Sequence, residues 1–467
     1  MVIDMGELWR IASQGIPYSS ALRSTVWKFM HFVKDPQYVE FVLSAPQILV
    51  RMTGFFHRKL LKHLQDFCKK LKNLKREDLL RSLKNISVNG CTSLKEYKVS
   101  SNLIESLDLS NTGIQILHSS IKNLTRLHSL NLESLSLRNL PNELSYLRSL
   151  SDLKISNCAL VLEKQKLHDI FQGLEHLKVL YLVDCPKMCE LPNNISGLGE
   201  LYELRLDGSN VESLPKSIKN IENLEILSLN NCWKLRCLPT LPLHIRLLSA
   251  VSCRSLTSLH NLKTFARRMR GKEKFTSFQD CKRLDWTSLN YIMEGTQLMM
   301  NRALFLNKYD ENFGWKAHNY NYNLVNVCLP GKRVPRQFKY RTTKSTLTIP
   351  LQVVKELMGI ILCAVLSPSE ELMTQGARIW CQCYLEDGIT KLNNPSSWYH
   401  KATTELDSDH VYIWCDSFHF DSISEGFGQQ ISFKFYVTND MEKPELNILT
   451  SYMMRRNAMA KIIKHGI

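Results

Sequence analysis

Residues 198–220 read LGELYELRLDGSNVESLPKSIKN, and the spacing of their apolar side chains decides how the chain folds. Leu198, Leu201 and Leu204 stand three apart, Leu206 follows after two, and Val211, Leu214, Pro215 and Ile218 complete the set. A Leu-x-Leu step suits a short strand whose alternate side chains point inward. The wider spacing and the proline that follow suit a turn and an irregular return. Such a unit is one coil of a solenoid. Anchored on the first apolar residue of each strand, coils begin at Ile86, Leu107, Leu130, Leu153, Leu180, Leu204, Leu227 and Leu248, at steps of 21, 23, 23, 27, 24, 23 and 21 residues.

This pattern resembles the leucine-rich repeat, whose period runs from roughly 20 to 29 residues, in the form found in the cytoplasmic immune receptors of plants. One coil cannot bury its own leucines, so about eight coils are expected to stack over residues 80–262 with their strands aligned in one parallel sheet. The side chains between the leucines are then free of the core and face solvent on the inner, concave side. Those offsets single out Asp108, Asn131, Glu133, Asp152, Lys154, Tyr181, Asp184, Glu203, Arg205, Asp207, Ser228 and Asn230 as candidate partner-binding residues. Solenoids use such extended surfaces to bind macromolecules.

The chain has 467 residues, 44% of them hydrophobic, enough for two or three domains with cores of their own. Its formal charge is +16, with basic concentrations at 69–76, 263–274 and 332–344. No zinc-finger spacing, RNA-binding aromatic signature or basic helix with heptads accompanies that charge, so no specific nucleic-acid partner is expected. The amino terminus has no signal-peptide pattern, and the longest nearly apolar run, 357–366, is too short for a membrane helix of about 20 residues. The expected compartment is the cytoplasm or nucleus.

Fourteen cysteines occur, and Cys91, Cys158, Cys185, Cys232 and Cys253 share one repeat position, five residues after the anchor. Periodic placement in a chain without an export signal points to buried thiols packing a turn, not to disulfides. Cys185 with Cys189 and Cys232 with Cys237 lack a second pair at zinc spacing, and Cys381 with Cys383 fall on one face of an apolar strand, so no metal is expected. The carboxylates Asp108, Glu133, Asp152, Glu203 and Asp207 lie on different coils with no acid or base partner, and neither a phosphate loop nor a Gly-x-Ser-x-Gly elbow is present. The expectation is a non-enzymatic protein with no cofactor and no small-molecule substrate.

Residues 1–79 do not follow the repeat; 55–76 reads as a basic amphipathic helix, with Leu60, Leu64, Phe67 and Leu71 at helical spacing, suited to capping the solenoid's open end. Residues 263–323 read as a basic connector followed by a helix around 286–304. From 324 to 455 short apolar or alternating runs at 324–329, 345–349, 358–366, 378–385, 411–415 and 430–437, separated by Gly, Pro, Asp and Ser, read as an antiparallel β-sandwich, with 456–467 as a tail. In the last run Ile431, Phe433, Phe435 and Val437 face one way, Ser432, Lys434 and Tyr436 the other.

Cys328-Leu329-Pro330-Gly331, Val334-Pro335, Phe338, 345–349 and 359–366 resemble the jelly-roll/immunoglobulin-like domain that follows the repeats in toll/interleukin-1-receptor-type plant resistance receptors. The resemblance implies an α/β leucine-rich-repeat solenoid followed by an all-β sandwich, the two jointly binding a pathogen effector. It adds Arg333, Arg336 and Phe338 as a partner-binding loop. At this loop the chain departs from the family: Gln337 replaces an aromatic residue, and Arg333 and Arg336 replace acidic ones. Neither the family's amino-terminal signalling domain nor its nucleotide-binding domain is found, so the chain is expected to keep the sensing half alone, with a pathogen effector or a full-length immune receptor as its protein partner. A repeat scaffold or ubiquitin-ligase substrate adaptor is the alternative, because leucine-rich solenoids also present clients.

Overall fold

The computed structural model describes residues 84–98, 102–135, 137–158, 161–260, 274–295, 325–335, 338, 340–342, 344–350, 357–366, 377–385, 396–400, 408–416, 430–439 and 458–464. The helix expected at 55–76, the connector at 263–273 and the carboxyl-terminal part of the 286–304 helix lie outside them. The chain divides into two compact units, Met1–Asn210 and Val211–Ile467.

In the first unit the strands Asn85–Ser87, Ser106–Asp108, Ser129–Asn131, Asp152–Ser156, Val179–Val183 and Glu203–Arg205 form a parallel sheet. Their register sets Ile86, Leu107, Leu130, Leu153, Leu180 and Leu204 side by side, so every anchor read from the leucine period meets the next. Each of these side chains is buried. Past the strand, the chain turns at one fixed place, four residues after the anchor. Gly90, Asn111, Ser134, Asn157, Asp184 and Gly208 stand there with φ of 82°, 56°, 54°, 50°, 50° and 69°. Only glycine and short polar side chains adopt that left-handed conformation at low cost, which explains the residue types at this step.

The next residue points back into the core. Cys91, Cys158 and Cys185 occupy it as buried free thiols. Cys158 Sγ donates to the Leu132 carbonyl of the preceding coil at 3.5 Å, and Cys185 Sγ to the Ile155 carbonyl at 3.9 Å. Burial holds both thiols protonated, pushing Cys185 up to about 12. The thiols therefore pack the turn, as their periodic placement predicts.

The return leg is a short 3-10 turn at Ser119–Asn123, Asn142–Tyr146 and Asn193–Gly197. In the 27-residue step an α-helix, Lys164–Phe171, takes its place and buries Leu167, Ile170 and Phe171. A side chain at Gly173, where this helix ends, would run into the Ser145 carbonyl of the coil before it, so only glycine fits.

The second unit begins with the parallel pair Ile226–Ser228 and Leu247–Ser249. Two further parallel strands, Lys274–Ser277 and Val325–Pro330, continue it in register, Leu248 beside Thr276 beside Val327. The leucine period does not reveal them, because a threonine and a valine hold the anchor positions. The turn chemistry nevertheless persists: Asp280 has φ of 58° four residues after Thr276, and Cys281 follows, donating to the Ala250 carbonyl at 2.9 Å.

Val325–Pro330 then pairs antiparallel with His410–Asp416, which pairs with Leu357–Leu366, then Ala458–Lys464, then Tyr340–Thr342. A second, antiparallel sheet orders Thr346–Pro350, Gln430–Asn439, Ala377–Leu385 and Ser396–His400. The two share one core, in which Leu362, Tyr412 and Trp414 meet Ile379, Cys381, Cys383, Phe433 and Phe435. Every run read as a strand after residue 324 is a strand. Tyr340–Thr342, Ser396–His400 and Ala458–Lys464 are additional, and the last lies in the segment read as a tail.

His410 ties the turn at Asp280 to this antiparallel region. Its Nε2 accepts the Asp280 backbone N–H at 2.8 Å, while its Nδ1 lies 2.7 Å from the Ser408 carbonyl, which fixes the Nδ1–H tautomer. His410 is fully buried. Replacing it by Phe strands a buried donor and a part-buried acceptor, and the expected loss is about 1–3 kcal/mol in urea unfolding. His410→Gln, able to satisfy one of the two, is expected to lose less.

Candidate partner-binding face

Three residue rows on the open face of the first unit follow from register alone. Flanking the anchors on one side lies Asn85, Ser106, Ser129, Asp152, Val179, Glu203; on the other lies Ser87, Asp108, Asn131, Lys154, Tyr181, Arg205. The third holds Ser110, Glu133, Ser156, Val183 and Asp207, whose carbonyls accept the N–H of Gly90, Asn111, Ser134, Asn157 and Asp184 in turn. Because strand side chains alternate, all three rows point away from the leucines. Neighbouring strands stand about 4.8 Å apart, so a partner would touch several coils at once.

The middle of this face is a small ordered cluster. Lys154 Nζ lies 5.1 Å from the Tyr181 ring centroid and the Arg205 guanidinium 5.0 Å from it. Tyr181 donates its hydroxyl proton to Glu203 Oε1 at 2.9 Å, and Arg205 Nε–H donates to the same oxygen. Partial burial raises the Tyr181 phenol, and the bond to Glu203 raises it further. Burial pulls the Arg205 guanidinium down, but its hydrogen bond and ion pair with Glu203 outweigh that and hold it above its ordinary value. Each cation–π contact of this kind contributes about 0.5–1 kcal/mol. Four side chains on three coils thus fix one another in place.

Toward the first coil the face becomes more structural. Asp108 accepts the Ser110 N–H at 3.0 Å and the Ser110 hydroxyl at 2.6 Å, closing its own turn, and it also accepts the Ser87 hydroxyl at 3.2 Å. Asn131 does the same for the Glu133 N–H at 3.1 Å. Asp152 accepts the Ser151 hydroxyl at 2.5 Å. Glu133 and Asp184 are exposed, Asp207 half-buried, and the Asp184 carboxylate lies over Gly208.

The candidates in the second unit behave differently. Ser228, read as solvent-facing, is 4% exposed, and Ser110, in the third row of the first unit, is 1% exposed. Asn230 serves as a bracket between coils: its Nδ2 donates to Ser228 Oγ at 3.0 Å, and its Oδ1 accepts Ser249 Oγ at 2.6 Å and the Val251 N–H at 2.9 Å. Phe338, read as part of a binding loop, is 3% exposed and packs inward, while Arg333 is exposed. Arg336 lies outside the described residues.

The structure therefore gathers Asp108, Asn131, Glu133, Asp152, Lys154, Tyr181, Asp184, Glu203, Arg205 and Asp207 on one face and withdraws Ser228, Asn230 and Phe338 into structural roles. Ser87 belongs to the face as well; the offset from Ile86 that identifies Asp108 from Leu107 would have found it. Trp233 and Trp286 are 63% and 76% exposed, and no repeat offset marks them. Among the described residues no group of three or more His, Cys, Asp or Glu side chains could hold a metal ion, and no helix is long and apolar enough to cross a membrane.

No protein-family model matches the chain. Over 426 residues, 84% of its length, it is 27% identical to the disease resistance-like protein DSC1 of Arabidopsis thaliana, covering 32% of that protein. Over 364 residues, 75% of its length, it is 28% identical to the disease resistance protein RPS4B of the same plant, covering 29% of it. The chain spans about a third of the length of these curated relatives. Among solved structures, the leucine-rich repeat domain of the type III effector XopL aligns with 61% of the chain and 90% of its own length, at 17% identity and a TM-score of 0.33.

Proposed function

We propose that this chain, a relative of plant disease resistance proteins along most of its length, is the recognition module of an innate immune receptor. It binds a protein, either a pathogen effector or a full-length receptor beside which it acts, and it does so without catalysing a reaction. The compartment proposed is the cytoplasm or nucleus. The observation that carries this reading is the row Lys154, Tyr181, Arg205, held in register across three coils and braced by Glu203. A preordered Tyr and Arg on a rigid sheet lose little side-chain entropy when a partner arrives, and residues of these two types dominate protein interfaces energetically.

The antiparallel strands of the second unit are proposed to be the jelly-roll/immunoglobulin-like domain that the sequence resembles. Two antiparallel sheets around one core, with Ile431, Phe433 and Phe435 buried between less buried neighbours, support that assignment. In this scheme exposed Arg333 contributes a second contact.

Proximity labelling of the chain in leaf cells, with and without pathogen challenge, tests the function. The double variant Tyr181→Ala/Arg205→Ala is expected to cut recovery of a challenge-dependent partner about tenfold or more, the scale of losing about 1.4 kcal/mol, with its circular dichroism unchanged. Undiminished recovery by the folded variant would move recognition off this face. Recovery of ubiquitin-ligase subunits alone, indifferent to challenge, would replace the sensor with the adaptor.

A further inference from the structure

We infer that the open sheet face of the first unit takes a basic protein segment, an inference that rests on the recognition reading above and names the chemistry of the partner. The three rows and the turn position beside them carry six carboxylates, Asp108, Glu133, Asp152, Asp184, Glu203 and Asp207, against two cations, Lys154 and Arg205. Six negative charges less two positive give −4 on a chain whose formal charge is +16, so the rest of the sequence carries +20. An acidic sheet face on so basic a chain is the reverse of what a uniformly solvated surface would show.

The two cations are already engaged. Arg205 pairs with Glu203, and both Arg205 and Lys154 lie against the Tyr181 ring. The carboxylates of this face include exposed Glu133 and Asp184 and half-buried Asp152 and Asp207, spread over four successive coils. Charge complementarity then selects lysine- or arginine-rich partners and rejects phosphate backbones, and the basic remainder of the chain steers acidic ligands elsewhere.

The test uses the full chain and two labelled peptides, six repeats of Lys-Ser-Gly and six of Glu-Ser-Gly, read by fluorescence anisotropy at about 50 mM salt. At that ionic strength charges still interact beyond about 10 Å. The Lys probe is expected to bind more tightly than the Glu probe does to this face. The variant Glu133→Gln/Asp152→Asn/Asp184→Asn/Asp207→Asn should weaken the Lys probe about tenfold or more and leave the Glu probe unchanged. Asp108 is left alone because it closes its own turn. Should the fourfold variant fail to fold, the single exposed Glu133→Lys is expected to weaken the Lys probe severalfold. Equal binding of the Lys probe to folded variant and wild type would overturn the inference. In leaf cells, loss of the challenge-dependent partner on Tyr181→Ala/Arg205→Ala but not on carboxylate neutralisation would sink the charge argument and spare the recognition reading; loss on neither sinks both.

Discussion

Trp414→Ala is expected to lower the stability of the second unit by about 3–5 kcal/mol, read as a shift of the urea midpoint for that unit. Trp414 is fully buried on the central strand His410–Asp416, with Asn326 opposite it on one neighbour and Leu362 on the other. Its ring meets Phe435 of the facing sheet edge-on, with centroids 6.2 Å apart and planes at 79°. Truncation therefore removes the largest body bridging the two sheets. The cost has two parts, the transfer of the lost surface with its cavity and about 0.5–1.5 kcal/mol for the edge-to-face pair. Both flanking strands are hydrogen-bonded to it and cannot close the gap without breaking register. Trp414→Phe keeps an aromatic edge against Phe435 and should recover much of the loss. A fall below about 1 kcal/mol for the alanine variant would mean that the sheets do not share this core.

The parts of the fold that were legible are those in which one physical requirement recurs. An inward leucine is needed once per coil, so Ile86 through Leu204 could be anchored from spacing alone, and their register follows. The left-handed turn four residues later is an equally periodic requirement, written in Gly90, Asn111, Ser134, Asn157, Asp184 and Gly208. It is harder to see, because several side chains satisfy it. Had that second period been followed, Asp280 and Cys281 would have carried the parallel sheet past the last leucine anchor to Thr276. Strands such as Ser396–His400 carry no repeat and no clean alternation, and their pairing partners are far away in sequence.

The candidate site was legible to the same degree. Alternation places Lys154, Tyr181 and Arg205 on one face, and the period makes them neighbours. Neither rule says whether the face is open at a given coil. Ser228 and Asn230 obey the offset, yet Asn230 spends its amide on Ser228, Ser249 and Val251, a use that depends on a small polar side chain in its own strand and another on the next. Phe338 shows the converse: a family motif transferred a position, whereas an apolar ring next to Val334 and Pro335 is more simply read as core.

Adjacent residues of one strand give the sharpest contrast in outcome. Leu180→Ala is expected to cost about 2–5 kcal/mol, while Tyr181→Ala, one residue on, should cost about 1–2 kcal/mol, the worth of its two cation–π contacts, and strike binding instead. Leu180 has no exposed surface, and Leu153 and Leu204 stand in register on either side of it. Both neighbours are pinned by backbone hydrogen bonds, so the cavity stays open and its lining loses contacts outright. In a solenoid each coil is stabilised through its interfaces with the coils beside it, and a defect at Leu180 weakens two interfaces at once. The helix-bearing coil that follows Leu153 is then expected to open first, giving faster hydrogen exchange over Asp152–Ser156 and Val179–Val183 than over Asn85–Ser87. Uniform acceleration along the whole sheet would show instead that the unit unfolds as a single block.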